Sequence, residues 1–272
     1  MPIAAELYYF AHEAEDLAVK RPPVILIHGA GGNHLSWPPQ IRRLHGERVY
    51  TPDLPGHGKS EGIGRHSIDE YANDLIEFMK VLKLRAAVMV GISMGNAIAL
   101  TLALKFPKKV LGLGLVGGGA RMPVAKEILE TAGNPNTFES AVDMINENCF
   151  SSHASQDLIR LSKQYFMQTR PPVLLGDFLA CNEFDVSSQL DKINVPTLIV
   201  SGAEDKMMPV KYSEFLRDGI VNSNLHVVEK AGHMVMAEQP DIVADLLKQF
   251  IDNLPKTTIR QVKLNGKADS AQ

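Results

Sequence analysis

Ser93 lies between two glycines, Gly91 and Gly95, directly after the apolar run Ala86–Val90 and before a helical pattern. Small residues on both sides allow the chain to turn sharply from a strand into a helix, and that turn lifts the serine hydroxyl above the edge of a sheet. A serine hydroxyl is a poor nucleophile at neutral pH and needs a base to take its proton. The pattern therefore predicts a nucleophilic serine, provided that a base and an acid lie within reach.

An acid and a base follow two later predicted strands. Asp205 comes shortly after Thr197–Ser201, and His233 comes shortly after Leu225–Val228. Loops that follow parallel strands open at one edge of a sheet, so both side chains are expected beside the serine. A histidine with a pKa near ~6.5 can take the serine proton, and a carboxylate can fix its tautomer. Glu204 is the weaker alternative acid, because its side chain leaves the chain on the side opposite to that of Asp205.

Two backbone N–H groups are predicted to stabilise the oxyanion that forms when a serine attacks a carbonyl group. One belongs to Met94, directly after the serine at the start of the helix. The other is assigned to Ala30, in the loop His28–Gly32 that follows an earlier strand. The alternative interpretation of this loop is a glycine turn that only connects two elements. A phosphate-binding loop fits less well, because the Gly-Lys-Ser/Thr of that motif is missing.

Four residues in or near this loop, His28, Asn33, His34 and Trp37, are assigned to the substrate pocket. His28 is favoured as a residue that orients the loop through its ring hydrogen bonds, rather than as a second base. For the other three, the start of the next helix is an equal alternative. Asp53 is expected to hold a structural turn through its side-chain hydrogen bonds, and not to form a second triad.

Composition argues against several classes of protein. The 272 residues are 45% apolar and 22% charged, with a net charge of −3. These values are typical of globular proteins, and no stripe of basic and aromatic residues is present, so nucleic-acid binding is disfavoured. Nine histidines occur. None of them has a metal-binding spacing such as His-Glu-x-x-His, so no metal site is predicted.

The sequence also predicts where the protein acts. Its apolar stretches are too short to cross a membrane, and its first residues lack the basic start and apolar core of a secretory signal. The two cysteines, Cys149 and Cys181, have no paired spacing. Free thiols in a reducing cytoplasm are the simpler interpretation. We therefore expect a cytoplasmic monomer or homodimer that acts on a small-molecule substrate.

Strand-like and helix-like segments alternate along most of the chain, which predicts a mostly parallel sheet with helices on both faces. Glu6–Ala11 and Val24–Ile27 are close enough in sequence to form an antiparallel start. The alternation stops between about residues 120 and 192. This helical stretch is interpreted as a cap over the strand ends, with a layer that packs only on itself as the alternative. The predicted organisation is a core of residues 1–119 and 193–255, a helical cap of residues 120–192, and a polar tail of residues 256–272.

Taken together, these motifs resemble those of the α/β-hydrolase superfamily from Pro23 to Leu254. The resemblance rests on His28-Gly29-Ala30-Gly31-Gly32, Pro52-Asp53-Leu54-Pro55-Gly56-His57-Gly58-Lys59-Ser60, Gly91-Ile92-Ser93-Met94-Gly95, the Asp205 loop and Ala231-Gly232-His233. The order serine, aspartate, histidine is that of nucleophile-elbow hydrolases. The resemblance implies about eight mostly parallel strands, an inserted helical cap, and hydrolysis through an acyl-enzyme without a cofactor. A serine at position 93 argues against epoxide hydrolases and haloalkane dehalogenases, which have an aspartate there.

The chain looks most like the small capped branch of carboxylesterases, enol-lactonases, C–C bond hydrolases and cofactor-free haloperoxidases. Its apolar cap and lack of a basic cluster favour the cleavage of uncharged esters with small to medium acyl groups. The alternative enzyme is a dienoate C–C bond hydrolase or an enol-lactonase. The anionic substrates of these enzymes would favour an arginine at the cap–core boundary, such as Arg121 or Arg170. The alternative of another class is a non-catalytic ligand receptor on the same scaffold.

Overall fold

The central element is an eight-stranded sheet with the strand order β1-β2-β4-β3-β5-β6-β7-β8. The computed structural model describes residues 2–13 and 21–254, so the predicted polar tail lies outside the described residues. β1 and β2 run antiparallel to their neighbours, and the other strands pair in parallel. This arrangement confirms the predicted α/β fold with about eight strands. The strands are β1 (Ile3–Ala4), β2 (Leu7–His12), β3 (Val24–Ile27), β4 (Val49–Pro52), β5 (Ala87–Ile92), β6 (Val110–Val116), β7 (Thr197–Gly202) and β8 (Ser223–Val228).

The antiparallel start of the sheet differs in one pairing from the expectation. β2 pairs with β4, where Phe10 lies opposite Thr51, and β3 lies on the other side of β4. All four residues of β3 are buried, whereas most residues of β2 are partly exposed. A strand that is apolar on both faces belongs inside a parallel sheet, so the more polar β2 takes the outer position.

Helices flank the sheet on both faces. Ser67 caps the second helix by accepting a hydrogen bond from the N–H of Glu70. None of the described helices combines the length and the apolar character needed to cross a membrane. The helices are α1 (Pro39–Arg42), α2 (Ile68–Val81), α3 (Met94–Lys105), α4 (Lys126–Thr131), α5 (Phe138–Cys149), α6 (Gln156–Gln168), α7 (Pro171–Glu183), α8 (Lys211–Gly219), α9 (Val235–Glu238) and α10 (Pro240–Asp252).

Two apolar layers cover the two faces of the sheet. One contains Tyr71 and Phe78 of α2, and the other contains Trp37 and Leu247. Every residue of β5 and β6 is buried. Burial on both faces explains why these strands are continuous apolar runs instead of alternating patterns. The loops at their carboxyl ends therefore leave from the fully buried centre of the sheet.

Residues 120–192, named the helical insertion below, connect β6 to β7. The insertion contains α4 to α7 and a short 3₁₀ helix, Ser187–Lys192, and it has no named strand. Arg121 and Asp185 form an isolated antiparallel bridge near its two ends. Its apolar side chains form a third cluster, with Phe138, Val142, Ile145, Leu174 and Phe178 among its members. The predicted helical character is thus observed, while its assignment as a separate cap domain stays a prediction.

Candidate active site

Ser93 occupies a strained turn between β5 and α3. Its backbone angles are φ 55° and ψ −119°, outside the regions that side-chain-bearing residues usually adopt. The two flanking glycines permit this turn. A Cβ on Gly91 would collide with the carbonyl of Gly95, and a Cβ on Gly95 would collide with the carbonyl of Ile27. The N–H of Ser93 donates to the carbonyl of Val116 in β6, which ties the turn to the neighbouring strand.

Asp205 and His233 form a buried hydrogen-bonded pair in the loops after β7 and β8. His233 Nδ1 lies 2.9 Å from Asp205 Oδ2. The other carboxylate oxygen, Oδ1, accepts the N–H groups of Met207 and Met208 at 3.0 and 2.8 Å. Because a carboxylate accepts, His233 donates from Nδ1, and its Nε2 in the neutral ring is free to accept a proton. This is the tautomer that a general base requires.

The loop of His233 is held from two sides. The N–H of Gly232 donates to Glu238 Oε1 at 2.7 Å, and the N–H of Met234 donates to the carbonyl of Cys149 in the insertion at 3.0 Å. Ser93 and His233 both line one cavity. Among the hydrogen bonds of the described residues, none joins Ser93 Oγ to His233. Such bonds often form only when substrate is bound.

Glu204, the alternative acid, takes part in a different contact. Its Oε2 accepts both the N–H and the hydroxyl of Ser152 at 3.0 Å. The backbone N–H of Ser152 is the largest cause that lowers the pKa of Glu204, and the Ser152 hydroxyl is the next. Asp205, and not Glu204, is therefore the carboxylate that contacts His233.

Two backbone N–H groups near Ser93 have no acceptor in the described part of the chain. They belong to Ala30 and to Met94, the first residue of α3. Register explains why the Ala30 loop reaches the serine, since Ile27 at the end of β3 pairs with Gly91 in β5. A Cβ on Gly29 would lie 3.1 Å from Ser93 Cβ, so the loop approaches the serine closely. An unpaired N–H beside a nucleophile is available to bind an oxyanion.

The cavity beside Ser93 has a volume of about 390 Å³. It lies between the sheet edge and the insertion, whose side chains supply much of its apolar wall. Contributions from the insertion include Ile145, Phe150, Leu158, Tyr165, Phe166 and Phe178. A largely apolar chamber with a few polar groups at one point is typical of small-molecule sites.

The four residues assigned to the pocket from the sequence do not line this cavity, so that assignment is wrong. His28 is fully buried behind the loop, where its Nε2 accepts from the N–H of Leu54 and its Nδ1 donates to the carbonyl of Gly29. Burial, followed by the neighbouring His57, lowers the pKa of His28 to about 4. His28 therefore orients the loop as a neutral ring, which was the favoured interpretation.

Asn33, His34 and Trp37 belong to the turn that follows the loop. Asn33 caps the 3₁₀ helix His34–Ser36, and Trp37 is fully buried in a core cluster. His34 Nδ1 lies 2.8 Å from Asp53 Oδ1, and the same oxygen accepts the N–H of His34. The structural alternative therefore holds for these residues, and Asp53 fixes a turn as expected.

Sequence reasoning missed Asp177, a fully buried carboxylate on α7. Its Oδ2 accepts the N–H of Gly31 at 2.8 Å and faces His57 Nε2 at 2.7 Å, while its Oδ1 accepts the hydroxyl of Tyr71 at 2.5 Å. An acid within the apolar segment Pro-Val-Leu-Leu-Gly-Asp-Phe-Leu-Ala was the available signal, because buried carboxylates require partners.

The described residues contain no group of three or more His, Cys, Asp or Glu side chains arranged to hold a metal ion. Cys149 lines the cavity and lies 3.3 Å from Met207 Sδ through its sulfur. Burial, and then the charges of Asp205 and Glu238, raises the pKa of its thiol. A thiol in that state is a weak nucleophile.

The fold and the strained serine turn define the class of α/β hydrolases. A model of the alpha/beta hydrolase family matches residues 24–246, and the chain belongs to this family. It is 28% identical over 256 residues to Lipase 3 of Moraxella sp. (strain TA144), and the alignment covers 89% of this chain and 81% of that protein. It is also 28% identical over 251 residues to 3-oxoadipate enol-lactonase 2 of Acinetobacter baylyi, covering 85% and 90%. A solved thermophilic esterase aligns with a TM-score of 0.77 and 33% identity over 91% of this chain and 98% of that chain.

Proposed function

We propose that the protein is a carboxylesterase-type serine hydrolase that cleaves carboxylic esters with small to medium uncharged acyl groups. The observation that carries the proposal is that Ser93, His233 and Ala30 line one apolar cavity. The pairing of His233 with Asp205 and the unpaired N–H groups of Ala30 and Met94 add to it. The similarity to a lipase and an esterase supports the same reaction type.

The proposed mechanism has two half-reactions. His233, oriented by Asp205, takes the proton of Ser93 as the serine oxygen attacks the ester carbonyl. The N–H groups of Ala30 and Met94 bind the oxyanion, and His233 then protonates the leaving alcohol. Water enters in place of the alcohol, and the same residues release the carboxylic acid from the acyl-enzyme.

The test is the Ser93→Ala variant with a p-nitrophenyl ester as substrate. We expect kcat/KM to fall by at least about 10⁴-fold, because the base then has no nucleophile to activate. Ser162→Ala is the matched control, since Ser162 lines the same cavity; its activity should stay within about threefold of that of the wild type. Turnover retained by folded Ser93→Ala would exclude the serine mechanism.

A non-catalytic receptor is tested by covalent labelling. A fluorophosphonate reacts with an activated serine and leaves an unactivated hydroxyl untouched. We expect stoichiometric labelling of the wild type and none of Ser93→Ala. Folded wild-type protein that is not labelled would favour the receptor.

One observation favours the second candidate, an enzyme for anionic substrates such as enol-lactones or dienoates. Arg42 lines the cavity and makes no ion pair with any described carboxylate. Its Nε donates to the carbonyl of Trp37 at 2.6 Å and its guanidinium lies 5.0 Å from the centre of the Phe10 ring, while its terminal nitrogens make no hydrogen bond to a described residue. Arg170 instead donates to the carbonyl of Gly62, and Arg121 does not line the cavity.

A substrate panel separates the two candidates. Under the main proposal, neutral esters should have the higher kcat/KM, and Arg42→Gln should change it by less than about threefold. Preference for a lactone or dienoate carboxylate, lost in Arg42→Gln, would establish the second candidate. A cytoplasmic monomer or homodimer remains our proposal for the state of the protein. The free Cys149 and Cys181 fit the reducing compartment and do not bear on the oligomeric state.

A further inference from the structure

The residue that follows Ala30 is held by the helical insertion through both of its backbone polar groups. The N–H of Gly31 donates to Asp177 Oδ2 at 2.8 Å. The carbonyl of Gly31 accepts the hydroxyl of Thr169 at 2.8 Å. Gly31 has φ +63°, and a Cβ there would lie 2.7 Å from Leu174 Cδ1. The insertion therefore encloses Gly31 as well as binding it.

Asp177 is fixed in place by a buried ion pair. His57 Nε2 lies 2.7 Å from Asp177 Oδ2, and His57 Nδ1 lies 3.0 Å from the carbonyl of Pro55. Both oxygens accept, so both ring nitrogens carry hydrogens and the ring is charged. Burial opposes this charge, but Asp177 outweighs burial and raises the pKa of His57. A buried pair of this kind adds little stability, and its best-attested role is to define one arrangement.

This constraint reaches the N–H of Ala30 through the backbone of Ala30, whose Cα joins two planar peptides. The N–H of Gly31 belongs to the Ala30–Gly31 peptide, which Asp177 orients. The preceding Gly29–Ala30 peptide carries the N–H of Ala30. Its carbonyl oxygen accepts from His28 Nδ1 at 2.8 Å and from the N–H of Gly32 at 3.1 Å. The core thus holds the peptide that carries the Ala30 N–H, and the insertion holds the next peptide through Gly31, so that the chain is anchored on both sides of Ala30. The N–H of Met94, at the first position of α3, needs no such support.

We propose that Asp177, together with Thr169, is a positioning residue that aims the N–H of Ala30 at the oxyanion. The insertion is then part of the catalytic apparatus as well as a cover. This inference rests on the proposed acyl-transfer function and assigns a role to residues that do not touch the reacting atoms. Because the oxyanion exists only in the transition state and the tetrahedral intermediate, misplacing its donor lowers kcat and leaves KM almost unchanged.

Thr169→Val tests the proposal without leaving a buried charge. It removes the hydroxyl that binds the carbonyl of Gly31, and we expect kcat to fall about 3–10-fold with KM within twofold. Thr137→Val is the matched control, because the Thr137 hydroxyl also donates to a backbone carbonyl, that of Thr131, at 2.9 Å in the same insertion. The control should keep the wild-type kcat.

Asp177→Asn tests the other contact. The amide is neutral, so its oxygen accepts the N–H of Gly31 more weakly and no longer offsets the charge of the His57 ring; we therefore expect kcat to fall about 10–100-fold. That is less than the 10²–10³-fold loss seen when an oxyanion donor is removed outright. Tyr71→Phe is its control, because it removes the hydrogen bond to Asp177 Oδ1 and leaves both Oδ2 contacts. Tyr71→Phe should lower the melting temperature and retain kcat within threefold.

A second readout separates positioning from general loss of structure. A boronic acid forms a tetrahedral adduct on an active serine, so its affinity should fall in parallel with kcat in Thr169→Val and Asp177→Asn. Equal kcat and boronate affinity in Thr169→Val and Thr137→Val would overturn the proposal, even if Asp177→Asn did not fold. Wild-type protein without esterase activity would contradict the proposed function instead, so the two failures are distinguishable.

Discussion

The glycines on either side of Ser93 are required by two different backbone contacts. Gly91 lies against the carbonyl of Gly95, and Gly95 lies against the carbonyl of Ile27. Backbone atoms in the centre of a packed sheet cannot yield as the end of a flexible side chain can. The two glycines are therefore a packing requirement of the strand-to-helix turn, whatever the chemistry of Ser93.

We predict that Gly95→Ala lowers the free energy of unfolding by about 1–3 kcal/mol, the range for an overpacked core. Gly112→Ala is the control. A Cβ there would lie 3.1 Å from the side-chain ends of Leu254 and Phe250, which can move, and its nearest backbone atom would be a carbonyl oxygen at 3.4 Å. Urea denaturation of both variants checks this. Equal losses for the two alanines would contradict the explanation.

The lowered pKa of His28 predicts that the free energy of unfolding depends on pH. Its folded pKa of about 4 lies below the ordinary value of 6.5, so the unfolded chain binds the proton more readily. The contribution of His28 is complete above pH 6.5 and is lost as the pH falls towards 4. Its full size is about 3 kcal/mol, from 1.36 kcal/mol per pKa unit.

The measurement is urea denaturation of the wild type and His28→Gln at several pH values between 4 and 6.5. The glutamine oxygen can still accept from the N–H of Leu54, so we expect the variant to fold and to have a shallower decline. The carboxylates are the same in both proteins, so their effect cancels when the free energy of unfolding of the variant is subtracted from that of the wild type at each pH. The exposed His45 gives the control, His45→Gln, which should keep the wild-type slope; an unchanged slope in His28→Gln would disprove the assignment.

At the scale of elements, the short helix α9 connects the loop of His233 to the insertion. Glu238 at its end accepts the N–H of Gly232, next to His233, at 2.7 Å. Its other oxygen accepts the N–H and the hydroxyl of Ser151 at 3.0 and 2.6 Å. One carboxylate thus joins the histidine loop to the segment that follows α5.

We predict that Glu238→Ala lowers kcat about 10-fold and the free energy of unfolding by about 2–4 kcal/mol, the loss expected for several hydrogen bonds to a charged group. Glu204→Ala is the control, because Glu204 binds the N–H and hydroxyl of Ser152 but contacts no residue beside His233. Steady-state kinetics with a p-nitrophenyl ester would show the difference. The same kcat in both variants would show that Glu238 of α9 does not position the loop of His233.

At the scale of the whole molecule, the sequence predicts the sheet and the loops at its carboxyl edge well. Ser93 and Asp205 follow the fully buried strands β5 and β7, and His233 follows the more polar edge strand β8, so that each lies shortly after a strand that local sequence predicts. The cavity wall could not be predicted in this way. The pairing of Asp177 with His57 joins residues 120 positions apart, and it depends on how the insertion folds back over the sheet.

The same reason explains the error over the pocket. His34 and Trp37 are close in sequence to the loop of Ala30, but proximity in sequence does not determine which side of the loop a side chain takes. Trp37 packs in the core cluster on one face of the sheet, and the His34 ring forms a hydrogen bond with Asp53. The cavity wall comes instead from α5, α6 and α7, where only the three-dimensional arrangement brings the side chains together.

The insertion is attached to two loops of the candidate site, through residues 149–151 at the loop of His233 and through Thr169 and Asp177 at Gly31. Helix α6 spans the interval between these attachments and supplies Leu158, Leu161 and Tyr165 to the cavity. Its cavity-facing positions are therefore free to diversify while the attachments are retained. We predict that grafting residues 156–165 from a relative changes the preferred acyl length and preserves kcat for the shortest ester. The measurement is kcat of such a chimera for esters of increasing acyl length. A large loss of kcat for every ester, including the shortest, would contradict the prediction.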